Sequence, residues 1–161
     1  MTTALDHANE FMKLMQYKSD KECIEYINRY NDFYDVPVRR WNSLMHAIVF
    51  KRKNLVTELI RKGANVNYKS PSGKTCLALT CIYRYEDIVI ILIEAGAFFV
   101  DIIDSYIVKY SCYQVIQYIR NVYRKRIISV INDDTSDNAL AVSFKTVYVA
   151  GIIDMISEFI I

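Results

Sequence analysis

The chain of 161 residues is poor in the residue types that build reactive centres and tight loops, with 2 histidines, 4 cysteines, 4 glycines and 2 prolines. Two histidines are too few for the ligand sets and base–nucleophile pairs of most hydrolase and metal sites, so neither an enzyme nor a bound metal or other cofactor is expected. Neither G-x-G-x-x-G nor G-x-x-x-x-G-K-[ST] occurs, which excludes the common phosphate-cradling loops. Cys23, Cys76, Cys81 and Cys112 form no C-x-x-C pair, and they read as reduced thiols packed inside a cytosolic protein. Long apolar runs are missing as well. The longest, Ile88–Val100, is interrupted by Glu94 and Gly96 and falls short of the roughly 20 residues that span a bilayer. The N-terminal segment mixes acidic, basic and apolar residues, unlike a secretory signal. Charge of one sign is lacking too, since 20 Lys and Arg face 18 Asp and Glu.

What is present is a high apolar fraction, 53%, in a chain with few helix breakers. That combination favours a folded, helical domain. The segments Leu59-Ile60-Arg61-Lys62-Gly63-Ala64 and Leu92-Ile93-Glu94-Ala95-Gly96-Ala97 repeat one another at an offset of 33 residues. The same offset superposes Leu44 on Leu77, Leu55-Val56 on Ile88-Val89 and Ala64 on Ala97. Within a unit, Leu44, Ala47 and Ile48 make one helical stripe and Val56, Leu59 and Ile60 make another, with polar Lys51-Arg52-Lys53-Asn54 between them. Gly63 and Gly96 fall where a left-handed residue ends a helix. The stretch from Asn65 to Lys74, with Pro71 and Gly73, has the composition of a hairpin loop.

These units resemble ankyrin repeats. Gly73-Lys74-Thr75-Cys76-Leu77 follows the family's G-x-T-P-L opening with Cys76 in the proline position, and Gly63-Ala64-Asn65-Val66-Asn67 follows its G-A-D-x-N close. The match is clearest over residues 42–97. His46 lies one place beyond the family's structural histidine and is therefore not expected to take over its buried hydrogen bond. Carried backwards, the offset puts Phe11 on Leu44, Cys23 on Val56 and Ile27 on Ile60, which makes residues from about Leu5 to Tyr30 an atypical capping pair around the turn Lys18-Ser19-Asp20. Carried forwards, it blurs after Ser105, where Tyr110, Tyr113, Ile116, Ile119 and Val122 keep a helical stripe, and recovers near Phe144 and Phe159. The resemblance implies an all-α ankyrin-repeat solenoid of about five stacked helix pairs with short hairpin loops. It forms a single domain, 1–161, with approximate units 4–35, 36–68, 69–101, 102–134 and 135–161.

The resemblance also implies function: a protein-binding surface along the hairpin tips and the exposed side of the first helices. By position this surface takes in Arg39, Arg40 and Trp41 at one tip and Lys69, Ser70 and Lys74 at the next, with His46 and Phe50 on one first helix and Leu79 and Tyr83 on the following one. Trp and Arg are the residue types that dominate interface hot spots; covering the seam between the first two units is the alternative role of Trp41. Lys51-Arg52-Lys53 reads as a solvated face. The alternative function is nucleic-acid binding by a basic helix carrying Arg120, Arg124, Lys125 and Arg126 with Tyr118 and Tyr123, although the near-neutral chain makes such a partner the weaker expectation. Asp133–Asn138 reads as a loop without the spacing of a calcium site. The apolar end, Ile156-Ser157-Glu158-Phe159-Ile160-Ile161, offers a surface for folding back or for a homodimer. The bias towards Ile, Lys, Asn, Tyr and Phe is that of an A/T-rich genome. Short degenerate repeat proteins with this bias resemble those of poxviruses and other large DNA viruses, which implies a host-protein target in the cytoplasm of an infected cell.

Overall fold

The computed structural model describes residues 3–99, 106–107 and 109–131, and at 126, 127, 130 and 131 the backbone alone. Seven helices run in chain order: α1 Ala4–Tyr17, α2 Asp20–Arg29, α3 Ser43–Val49, α4 Lys53–Arg61, α5 Cys76–Ile82, α6 Glu86–Glu94 and α7 Tyr113–Ile131. Among the described residues there is no strand, and the hairpins contribute the isolated bridges Val38–Trp41 and Lys69–Thr75. The chain divides into two compact units, 1–112 and 113–161.

In the first unit α1, α3 and α5 pack side by side in one layer, and α2, α4 and α6 pack in a second layer. At seven residues, α3 and α5 are too short to persist alone, and burial holds them. The 33-residue pattern becomes a core: Leu44 and Leu77, Leu55 and Ile88, Val56 and Val89, and Leu59 and Leu92 are all buried. Burying one such side chain stabilises by about 2 kcal/mol. The capping pair joins the same core through Phe11, Cys23 and Ile27. It opens α1 and α2 with reciprocal caps, Thr3 with Asp6 and Ser19 with Glu22.

Two backbone devices recur at the repeat period. Gly63 and Gly96, with φ of 91° and 88°, end α4 and α6, and the next N–H in each case donates to the carbonyl five residues back. Between α3 and α4 and between α5 and α6, Lys51 and Arg84 also adopt positive φ, 55° each, and Arg52 N–H and Tyr85 N–H donate to Ala47 O and Thr80 O. The same turn appears once more, with Ser111 at φ 55° and Cys112 N–H donating to Ile107 O at 3.0 Å. It follows the previous turn after 27 residues instead of 33. The shorter spacing departs from the 33-residue register, in keeping with the blurring of the pattern after Ser105.

In the second unit α7 runs for 19 residues. The expected stripe is corrected in part: Tyr110 lies before the helix, Tyr113 is exposed, and Val115 and Ile119 are the buried positions. Asp133–Asn138 and the apolar end from Ile156, and with them the expected fifth unit and homodimer surface, lie outside the described residues.

Candidate functional site

The hairpins are built from backbone outward. Val38 and Trp41 exchange both of their backbone hydrogen bonds, at 2.9 and 3.1 Å, which closes a two-residue turn with Arg39 at φ 50° and Arg40 at φ 75°. Positive φ at both central residues is the geometry Asn-Gly closes most readily. An arginine held there costs about 1 kcal/mol. Both arginines are exposed, and among the described residues neither side chain pairs with a carboxylate. At the equivalent place in the next repeat, Ser70 N–H donates to Lys74 O at 2.9 Å and Gly73 supplies the positive φ, 79°. Lys69 and Lys74 are exposed beside it.

Side chains tie each hairpin to the next repeat. The Asp35 carboxylate accepts from Asn42 Nδ2 at 3.1 Å and from Asn65 N–H at 3.0 Å. One repeat on, Asn67 Oδ1 accepts from Phe98 N–H at 2.8 Å, and Asn67 Nδ2 donates to Gly96 O at 3.2 Å. Asn42 and Thr75, 33 residues apart, cap α3 and α5 by accepting from Met45 N–H and Ala78 N–H. A cleft of about 430 Å³ opens between the second hairpin and the chain that follows α6, bordered by Lys69, Thr75, Ala78, Phe98 and Tyr106. Phe98 is 79% exposed there.

Of the ten residues placed on the surface by position, Arg39, Arg40, Lys69, Lys74 and Tyr83 are exposed, and Trp41 and Phe50 are half-buried. The other three are corrected. His46 is buried, and its Nε2 donates to Val38 O at 2.9 Å. The tight Arg39-Arg40 turn folds that carbonyl over the start of α3, so His46 gains a buried hydrogen bond after all. Burial holds its pKa below the usual histidine value of 6.5. Ser70 is buried because its hydroxyl closes the hairpin, accepting from Lys74 N–H at 3.1 Å. Leu79 is buried because α5 is covered along nearly its whole circumference. Trp41 lies with its ring 5.6 Å from that of His46, over the hairpin and helix seam.

The solvated-face reading of Lys51-Arg52-Lys53 holds in exposure at Lys51 and Lys53 and is corrected at Arg52. Arg52 is half-buried and joins the first two repeats, donating from Nε to Asp20 Oδ1 at 2.6 Å, from Nη1 to Met15 O at 2.7 Å and from Nη2 to Lys18 O at 2.9 Å. Lys53 pairs with Asp87 of the next repeat at 2.9 Å, and Lys51 Nζ lies 5.0 Å from the centre of the Tyr85 ring, which stacks on Tyr83. None of these contacts has a local signal, because each partner lies about one repeat away. On α7, Arg124 and Lys125 are exposed, Arg120 is half-buried, and the side chain of residue 126 lies outside the described set.

All four cysteines are free and buried, and burial pushes the Cys76 and Cys81 thiols up to about 12, away from reactivity. Among the described residues no group of His, Cys, Asp and Glu is disposed to hold a metal, and no helix is long and apolar enough to cross a membrane.

Comparison with curated proteins returned no match, and neither did comparison with solved structures. A family profile for ankyrin repeats in three copies matches residues 4–104. That span covers all three helix pairs, from the start of α1 to beyond the end of α6, and the chain belongs to the ankyrin-repeat family, whose repeats are protein–protein interaction modules.

Proposed function

We propose that this chain is a non-enzymatic binding protein that acts by occupancy, holding or blocking one host or cellular protein on the face that carries its hairpin tips. The observation that supports this most is the exposed pair Arg39 and Arg40, held in backbone conformations that arginine does not favour and without a partner inside the described protein. Lys69, Lys74 and Tyr83 extend the same surface, and Trp41 and Phe50 contribute their accessible edges. The proposal includes a viral setting and action in the host cytoplasm, as an immune-evasion or host-range factor with inhibition of an NF-κB-like factor as one form. The composition bias supports this setting. It also includes a single domain of five units, of which 102–134 draws support from the turn at Ile107–Cys112.

The test is affinity capture from susceptible cells with the wild-type chain beside a variant carrying Arg39→Asn, Arg40→Gly and Lys69→Gln. The expected result is a partner retained by wild type and lost by the variant while both give the same helical circular dichroism. An identical partner list from the two proteins refutes the surface.

A further inference from the structure

Near-neutral overall charge hides a sharp division along the chain. Residues 36–85, which span the second repeat and most of the third, contain ten Lys and Arg and one carboxylate, Glu58. Even that carboxylate is taken, since Arg61 donates to it at 2.8 Å from Nε. Arg52 and Lys53 are neutralised by Asp20 and Asp87 from the flanking repeats. Arg39, Arg40, Lys69 and Lys74 are left as an exposed row on consecutive hairpins, unpaired with any carboxylate among the described residues. Lys69 also borders the 430 Å³ cleft where Phe98 stands exposed beside Tyr106.

We infer that the hairpin row is a receptor for an acidic protein segment that places an apolar side chain in the cleft next to Lys69. Three observations converge on that chemistry. The cations of the row have no anion of their own to displace, so a carboxylate-rich segment meets them without first breaking an internal pair. The Arg39 and Arg40 side chains stand exposed at positive φ and form no ion pair among the described residues, and two guanidinium forks at a rigid tip suit bidentate capture of carboxylates. The cleft adds two aromatic side chains, Phe98 and Tyr106, beside Ala78 and Thr75 at one end of the row, and the single lysine among its described lining residues gives a phosphate backbone little to track. The inference rests on the protein-binding reading and narrows it to the partner's chemistry.

The test uses the full chain and three labelled probes of about 16 units, long enough to span two hairpins. They are a Glu- and Asp-rich peptide with one central Phe, the same peptide with Lys for every acid, and an oligomer of deoxythymidine. Fluorescence anisotropy is expected to show binding of the acidic peptide alone, weakened by added salt. Arg39→Asn with Arg40→Gly is expected to weaken it about tenfold, and Phe98→Ser by a similar factor. The first variant replaces the arginines with the residues this turn prefers, so loss of folding cannot explain its effect, and a thermal unfolding midpoint no lower than that of the wild type verifies that. Equal binding of the acidic and basic peptides, tighter binding of the oligonucleotide, or no effect of the arginine variant overturns the inference. If the acidic peptide does not bind while capture from cells still returns a partner lost in the hairpin variant, the acidic chemistry is wrong and the protein-binding reading stands. If neither occurs, both are wrong.

Discussion

Replacing Arg52 with Met is expected to detach the capping pair from the rest of the stack. The methionine keeps most of the aliphatic stem and removes three donor contacts: one to a carboxylate at 2.6 Å and two to carbonyls at the end of α1, Met15 O at 2.7 Å and that of the capping Lys18 at 2.9 Å. A charged hydrogen bond in a protected site contributes about 1.5–3 kcal/mol. Here the pair is 21% and 31% exposed and the two carbonyls regain water when the guanidinium leaves, so the total falls well below three times that figure. A loss of about 2–3 kcal/mol is expected, including the cation's favourable position at the negative end of α1. Urea unfolding at 25 °C followed by circular dichroism measures it. A cycle with Asp20→Asn is expected to give a coupling of about 1 kcal/mol, and Arg52→Lys is expected to rescue little, because one ammonium cannot reach three acceptors spread over a turn. Hydrogen exchange adds location: amides in α1 and α2 lose protection while those in α5 and α6 keep theirs. A loss below about 0.5 kcal/mol, or full additivity with Asp20→Asn, refutes the clamp.

Other outcomes follow from single features. Gly63→Ala is expected to cost about 1 kcal/mol and Gly63→Asn less, because an added Cβ meets nothing within 4 Å and the penalty is the positive φ alone; thermal unfolding of both variants measures the difference. Stability is expected to fall as pH drops below 6.5, because His46 is held neutral in the fold while the unfolded chain takes up the proton first. A second fall is expected below 4.5, as hydrogen bonds from the Ser19 backbone and hydroxyl hold Glu22 down at about 2. Denaturant titrations across pH, with His46→Gln flattening the first step, test both signs. The thiols of Cys76 and Cys81 are expected to resist a thiol reagent at pH 8 in the native state and to react at once in urea, and rapid native labelling of either would contradict their burial.

The repeat was legible because its marks are local. Gly63 and Gly96 carry the left-handed helix ends and paired leucines the core, each within a few residues of the feature it specifies. What the sequence concealed depends on side chains meeting across a repeat or on unusual turns. The repeat offset places a hairpin tip at Arg39-Arg40-Trp41, but Arg-Arg is not a turn signal, so the two-residue closure that brings Val38 O onto His46 could not be foreseen. Arg52 sits between two lysines and looks like its neighbours; only the stacking of α1 and α2 on the second repeat brings Asp20 to it. Of the candidate surface, Arg39, Arg40, Lys69, Lys74 and Tyr83 are exposed, whereas at His46, Ser70 and Leu79 local closure and two-sided packing remove the side chain from water.

The two inter-repeat seams differ in kind, and that difference sets a mechanical order. The ion pairs of the first seam belong to the half-buried Arg52 network, while that of the second, Lys53–Asp87, has side chains 51% and 53% exposed and shares its seam with the Asn67 bonds to Gly96 and Phe98. A pulling force applied across the three helix pairs is expected to open the second seam first, at α5 and α6, with the first two repeats giving way last. In a single-molecule tether this reads as a small early step followed by a larger one, and high salt, which screens the exposed pair, lowers the force of the first step without moving the second.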